Sequence, residues 1–524
     1  MQRLTPYALL FITAIILERV AISSTQIGFG QSLRSLLIVL LLSTLALLIL
    51  WSITRDWYRA NFMVFMIWAI LVLYRFIYRL LKIEQPQKAD AFAFVLLIVL
   101  SLIYLLIVSK RVWWTIHNPA RLSLYFTLVF GLLLSFQLIR LAGDMQKLVM
   151  AKTHMGTTAI SDMTEKIDLQ GEIRPDIYVI ILDGYARQDV LDTMYQYDNS
   201  EFISQLEDLG FYVADQSHSN YVQTAYSMAS LWNFDYVQPW NALYDYTQYL
   251  MKPIQNNRTF RLLKEMGYTT VSFESEVDYT EIKESDKYLS VFLPFNKFES
   301  LLLVDSPLEP FNNVFKLGIP IPSYSTHILR TQYDLETLKE LPTSIPGPKI
   351  VYAHIVTPHP PFMFDQNGNA LQQQKPYSLW DNTAFTGGQS EYRNGYVNQI
   401  IFINRGILDV VSNILAKSET PPIILIMGDH GPASMFTWKL DNPGCVWERT
   451  SNFYAMLLPG HPDDGILYPS MTPVNSFRLI FNTYFSGDLP LLDDRTYMMS
   501  WQQPTLKIDV TEQRDSRQGC TNND

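Results

Sequence analysis

The feature that most constrains this chain is the series of unbroken apolar runs in its first 150 residues. Leu36–Ile53, Ala60–Tyr74, Ala91–Val108 and Leu122–Ile139 are each long enough, or nearly so, to cross a bilayer, which takes about 20 residues. A fifth run, Pro6–Ile22, carries Glu18 and Arg19 near one end, where an adjacent pair of opposite charges can snorkel to the interface. No small-residue cleavage site follows it, so it reads as a span and not as a signal peptide. Trp51, Trp57, Trp113 and Trp114 stand near span ends, where interfacial aromatic residues are expected. Residues 1–150 are therefore expected to form about five transmembrane helices in a multi-pass membrane protein. Loop charges do not orient them: an inside N-terminus leaves 6 basic residues on one face and 7 on the other.

The charge balance changes sharply past this region. The first 150 residues hold 14 Lys/Arg against 5 Asp/Glu, out of 40 and 50 in the whole chain of 524. The remaining 26 basic and 45 acidic residues leave that part near −19. Such a field argues against nucleic acid as a partner, because phosphate neutralisation needs a basic face. Two cysteines, Cys445 and Cys520, exclude a disulfide-dense scaffold and a thiolate zinc domain; they pair only in an oxidising compartment.

Residues 151–174 are polar and lack a hydrophobic period, as in a linker or juxtamembrane segment. Residues 175–524 then alternate short apolar runs with amphipathic stretches. Ile177–Leu182, Thr270–Phe273, Ile350–Val356, Ile423–Met427 and Phe453–Leu458 read as buried strands; Glu391–Ser418 and Val474–Phe485 read as helices. Continuous apolar strands separated by helices imply a mostly parallel sheet covered on both faces. The Pro-rich Pro307–Pro322 and the Asn/Gln-rich Gln366–Gln389 read as surface loops.

Ligands of such sheets bind beyond the carboxyl ends of the strands. Three strands end in suitable groups: Asp183-Gly184; Asp429-His430-Gly431; and a Thr-Pro-His-Pro-Pro-Phe segment bearing His359. Two carboxylates and an imidazole suit a hard-to-borderline divalent ion such as Mn²⁺, Zn²⁺ or Mg²⁺, with Ca²⁺ also admissible. Thr224 precedes an amphipathic stretch, so it is either a nucleophile in the field of a helix N-terminus or an N-cap; in the second case Ser227 and Ser230 are packing residues. Arg187, Arg393, Asn220 and His218 are candidates for contact with an anionic substrate; helix-surface and loop-capping roles serve equally well for them. Tyr396 begins the same helix as Arg393; Glu274 and Glu276 are additional candidate ligands; His354, inside a strand, reads as a structural histidine.

The order of these pieces carries a resemblance. A strand ending in Asp183-Gly184 is followed by N-Y-x-x-T-x-x-S-x-x-S-x-x-N from Asn220 to Asn233, then H-P-P-F from His359 and G-D-H-G from Gly428. This succession resembles the sulfatase-like branch of the alkaline phosphatase superfamily. With about five N-terminal spans, the layout is similar to lipoteichoic acid synthases and phosphoethanolamine transferases. The resemblance implies one divalent metal held by Asp183, Asp429 and His430, with Thr224 both nucleophile and metal contact. It implies that His359 binds the substrate phosphate or protonates the leaving group. It also implies an extracytoplasmic catalytic domain that transfers or hydrolyses a phosphoester, on a phospholipid head group or a related cell-envelope phosphodiester, with membrane lipids as partners.

Two departures matter. Lipoteichoic acid synthases have Glu where this chain has the shorter Asp183. The C/S-x-P-x-R motif of formylglycine sulfatases is missing, and its look-alike, Cys445 to Arg449, lacks the proline and follows Asp429-His430-Gly431. The rival readings are a sulfuric-ester hydrolase of the same fold and a non-catalytic membrane protein with a ligand-binding domain. A transporter is disfavoured by the few intramembrane charges.

Overall fold

A computed structural model describes residues 6–23, 29–84, 88–116, 118–154, 174–238, 246–292, 295–304, 306–315, 317, 324–371, 379, 381, 385, 387–461, 465–500 and 506–520. The chain forms two compact units. Met1–Gly156 makes one with Leu293–Thr326 and Gln374–Pro376; Thr157–Phe292, His327–Gln373 and Tyr377–Asp524 make the other.

The first unit is helical: α1 (Tyr7–Ser23), α2 (Phe29–Thr54), α3 (Trp57–Glu84), α4 (Ala89–Ile107), the short α5 (Lys110–Trp113) and α6 (Pro119–His154). Of these, α2, α3, α4 and α6 contain apolar stretches of 19 to 25 residues, long enough to span a bilayer. α1 is apolar but only 17 residues long, at the lower limit for a span. Large side chains cover the outer faces: Leu41 and Leu132 are 69% and 74% exposed, which suits acyl chains and not water. Inside, small residues let helices close. Ala89 and Ala93 of α4 receive the buried rings of Tyr74 and Tyr78 of α3. Asp56 starts α3 by accepting from Arg59 N, and its other oxygen takes the Trp113 indole N–H.

Leu293–Thr326 belongs to this unit, and the segment expected as a Pro-rich loop contains the helix Leu308–Phe315. The preceding helix Lys297–Leu303 buries Phe298 among Ile12, Ile16 and Val20, while Glu299 pairs with Arg34 at 3.0 Å. Phe311 meets Phe94 edge-on at 4.9 Å. Proline and polar residues hid an amphipathic pair of helices here. The linker expected at 151–174 lies almost wholly outside the described residues.

The second unit is built on seven strands: β1 (Ile177–Leu182), β2 (Tyr212–Val213), β3 (Thr269–Phe273), β4 (Lys287–Leu289), β5 (Lys349–Ile355), β6 (Ile423–Met427) and β7 (Tyr454–Leu457). Their order is β2-β7-β6-β1-β5-β3-β4. β1, β3, β4, β5 and β6 run parallel; β7 is antiparallel to β6 and to β2. β1 shows why its sequence is continuously apolar. Alternate side chains point to opposite faces, and both faces are covered. Ile177, Val179 and Ile181 pack with Trp232 and Phe477; Tyr178, Ile180 and Leu182 pack with Ile400, Ile407 and Val411 of the helix Gln389–Lys417. That helix is also long and apolar enough for a span. Its apolar stripe is occupied by the sheet, so it is a core helix.

Candidate active site

β5, β1 and β6 are adjacent, so the three strand-end motifs meet at the centre of the sheet. Asp183 extends the ladder by one bond, donating its N–H to Ile355 O at 3.0 Å. Gly184 then turns at φ 71°, and its N–H binds Asp429 Oδ1 at 3.0 Å. The carbonyl of Asp183 accepts the N–H of His359. Tyr396 clasps the turn after β1: its hydroxyl donates to Gly184 O at 2.7 Å and accepts Ala186 N–H at 2.9 Å. Buried Gln399 holds the His359 loop through Pro358 O, His359 O and Met363 N.

Asp183, Asp429 and His430 are all buried, and one ligand atom from each lies within 4.8 Å of the others. Thr224 Oγ1 stands 3.0 Å from His430 Nε2. Thr224 is the first residue of the helix Thr224–Asn233; Gln223, in extended backbone, is its N-cap. The hydroxyl is thus free of capping work and lies at a helix N-terminus, among backbone N–H groups that lack intrahelical partners. Ser227 and Ser230 fasten the ends of this helix by donating to Tyr221 O and Asp235 O.

The other sequence candidates lie elsewhere. Arg187 makes two 2.8 Å bonds to Asp189 and donates to Ser217 O. His218 faces Asp515 at 3.2 Å. Asn220 bridges Arg495 O and Val474 N. Arg393 is in the first turns of the helix Gln389–Lys417, its Nε buried and without a hydrogen-bond partner among the described residues. Glu274 and Glu276 bind Arg330, and Glu276 also binds His327.

Electrostatics favour a cation among the clustered groups. Burial pushes the Asp183 carboxyl up, but His359, His354 and His430 outweigh it and hold it below the usual carboxylate range. Burial, then the Asp183 charge, push Asp429 up to about 6. His430 falls well below its ordinary value through burial and the nearby Arg449. Its Nδ1 lies 2.9 Å from Gly431 O, which only accepts, so Nδ1 carries the proton and Nε2 turns a lone pair to the cluster. Asp183 Oδ1 and Asp429 Oδ2 are buried without a hydrogen-bond donor among the described residues. Two carboxylate oxygens and an imidazole nitrogen therefore converge, which is the donor set of a divalent ion.

One group escaped the sequence reading. Arg449, 4% exposed, donates Nε–H to Val222 O (2.8 Å) and Nη1–H to Gly431 O (3.1 Å), and its Nη2 lies 2.9 Å from His430 Nε2. Asp381 faces both Arg449 Nη1 (3.6 Å) and His359 Nε2 (3.8 Å). Arg449 precedes β7, and β7 runs antiparallel, so the N-terminal approach to β7 reaches the edge where the parallel strands end. A search limited to strand C-termini passes over it. The helix that carries it, Val446–Thr450, is tied to the C-terminal segment by the Cys445–Cys520 disulfide. Beside it, buried Glu448 accepts from Tyr195 Oη, Ser434 N, Ser434 Oγ and Met435 N, which fixes the loop after Gly431.

No protein-family model matches the chain, and no curated protein does. Among solved structures it is similar to the C-terminal periplasmic domain of EcEptC from Escherichia coli in complex with zinc: 11% identity, 68% of this chain and 97% of that one, TM-score 0.42. A second is the periplasmic domain of the phosphoethanolamine transferase EptC from Campylobacter jejuni: 10% identity, 61% and 92%, TM-score 0.36. A third is a protein in the alkaline phosphatase superfamily from Vibrio parahaemolyticus: 11% identity, 68% and 81%, TM-score 0.36. These likenesses are distant and carry no chemistry across; what the chain does must rest on its own side chains.

Proposed function

We propose that this chain is a membrane-anchored, metal-dependent phosphoester transferase or hydrolase acting through a covalent Thr224 intermediate. The observation that supports it best is Thr224 Oγ1, 3.0 Å from His430 Nε2 at a helix N-terminus, beside two buried carboxylates. Asp183, Asp429 and His430 would hold one divalent ion. When bound, it would lower the hydroxyl pKa and neutralise charge on the transferring group.

The chain's own residues account for the rest. Thr224 Oγ attacks phosphorus while its proton passes to solvent water; Asp429, one of the three groups that would hold the ion, stays ionised. The bond from phosphorus to the leaving oxygen breaks as phosphothreonine forms. His359 is held by Nδ1–H on Pro360 O at 2.6 Å, which leaves Nε2 toward the site; its protonated form supplies the leaving oxygen with a proton. Arg449 and the first backbone N–H groups of the Thr224 helix stabilise the non-bridging oxygens. In the second half, water or an alcohol gives a proton to His359 and attacks phosphorus; the bond to Thr224 Oγ breaks and Thr224 regains a proton from solvent water. An anchored enzyme meets donors at the bilayer surface, so a phospholipid head group or envelope phosphodiester is the proposed substrate class. The Cys445–Cys520 disulfide supports an extracytoplasmic catalytic unit.

The test uses the full chain in detergent with Zn²⁺ or Mn²⁺ and paired aryl phosphodiester, phosphomonoester and sulfate substrates. Phosphodiester turnover is expected to lead, with a phosphoadduct on the Thr224 peptide by mass spectrometry. Thr224→Ala should cost on the order of 10³-fold or more and abolish the adduct. Dominant sulfate turnover, or unchanged turnover in Thr224→Ala, sinks the proposal.

A further inference from the structure

His354 sits inside β5, beside Ile181 of β1, in a fully buried strand that from Ile350 onward is otherwise aliphatic or aromatic. A polar ring at such a position is costly unless both nitrogens are served. Nδ1 is served by two hydroxyls, Thr280 Oγ1 at 2.9 Å and Ser275 Oγ at 3.3 Å. Nε2 points the other way, to Asp183 Oδ2 at an ion-pair distance of 3.3 Å, and makes no hydrogen bond of regular geometry among the described residues. Thr280 Oγ1 gives its proton to Val277 O (2.8 Å), so Ser275 Oγ is the hydroxyl that donates into Nδ1, and the ring proton on Nε2 faces the Asp183 carboxylate, which only accepts. Asp183 is thereby divided. Oδ2 faces His354 Nε2 at 3.3 Å, while Oδ1 faces His430 Nε2 at 3.9 Å.

We propose that His354 is a positioning residue that orients Asp183 for the metal: it holds Oδ2 so that Oδ1 alone is presented to the ion. The proposal rests on the metal centre of the preceding section. It explains how the short Asp183 side chain is kept aimed at the cluster. Hydrogen-bonded outer partners of this kind typically change metal affinity by about 10–100-fold when removed.

Two substitutions separate this role from both a structural one and direct ligation. His354→Gln places an amide N–H near the Nε2 position and keeps the donor to Asp183. His354→Asn places its amide near Nδ1, keeps a partner for Thr280 and abandons Asp183. Dissociation constants for Zn²⁺ are measured on the full chain in detergent by competition with a chelator, with thermal unfolding of the metal-free proteins alongside. Asp429→Asn is the control for the centre itself. The expected result is wild-type affinity in His354→Gln, a loss of about 10–100-fold in His354→Asn, and a still larger loss in Asp429→Asn. Wild-type affinity in His354→Asn with Zn²⁺ lost in Asp429→Asn overturns the role of His354 and leaves the centre standing. Equal losses in Gln and Asn overturn it in favour of direct ligation. No Zn²⁺ binding by the wild type overturns the centre and this inference together.

Discussion

Replacing Arg449 by methionine tests whether this buried cation works on the substrate or on the fold. The stem packs beside Phe436 and Trp438, with the guanidinium carbon 5.9 and 5.7 Å from their ring centres, and methionine keeps most of that volume. The guanidinium's bonds to Val222 O, Gly431 O and His430 Nε2 disappear. Gly431 O retains the His430 Nδ1–H; Val222 O loses a charged donor. Stability should fall by about 1–3 kcal/mol, the cost of a buried acceptor left unserved. The catalytic loss should be larger. A charged donor aimed at oxygens that gain charge in the transition state is worth about 10²–10³-fold, or roughly 3–4 kcal/mol. Arg449→Lys keeps the charge without the fork and should fall between. The assay is kcat and KM for an aryl phosphodiester at saturating Zn²⁺, with Tm measured on the same preparations. The reasoning fails if Arg449→Met lowers Tm but leaves kcat/KM within about threefold of wild type, since the guanidinium would then be only a loop clamp.

Three other outcomes follow from the same geometry. Reducing Cys445–Cys520, which closes a separation of 75 residues, should cost about 4 kcal/mol of stability in the catalytic unit, read as a drop in Tm with dithiothreitol that is absent in Cys520→Ser. Glu448→Gln should cost about 1–3 kcal/mol, because its amide sets a donor against either the Met435 N–H or the Tyr195 and Ser434 donors; denaturant unfolding measures it. Asp189 is held below its ordinary pKa: burial raises it, but Arg187 bonds lower it more. A depressed folded-state pKa gives stability that is present above the unfolded value near pH 4 and lost as pH falls through the folded one. The side chain is 38% exposed, so the effect should be only about 0.5–1 kcal/mol; Asp189→Asn should remove that part of the acid dependence of Tm below pH 4.

Hydrophobic pattern and strand-end chemistry made much of this legible in advance. Burial on both faces leaves a strand such as Ile177–Leu182 no polar position, and the same topology that buries it exposes the group just past its end, Asp183. Charged candidates were harder to place because an arginine reads alike whether it binds substrate or a neighbour. Arg187 meets a carboxylate two residues away, and nothing in its spacing separates that from an anion site. Arg449 was obscured for a topological reason, the reversal of β7, and His354 for a register reason: only the pairing of Ile181 with His354 sets the ring beside the Asp183 turn. The helices of Leu293–Thr326 were masked by their own prolines and polar residues, since Phe298 and Phe311 find their partners far away in sequence.

The acidity of the chain beyond residue 150 bears on how an anionic substrate could enter. Asp183, Asp429 and Asp381 set three potential negative charges around the site, against the permanent cation of Arg449. Left so, the pocket repels a phosphodiester, and the repulsion is strong because burial lowers the local dielectric. One divalent ion brings the sum to neutrality, and a protonated His359 brings it to +1, which matches a singly charged phosphodiester. Long-range attraction therefore has little part in the encounter, and the favourable field is confined to a few ångströms around the ion. Substrate affinity and metal affinity must then rise and fall together, because each supplies charge the other needs. A non-hydrolysable phosphodiester analogue should tighten Zn²⁺ binding by the same factor that Zn²⁺ tightens the analogue, and Asp381→Asn should weaken that coupling by removing one of the charges the ion offsets. Analogue binding that is equal with and without Zn²⁺ would refute the shared-charge argument even if the enzyme were active.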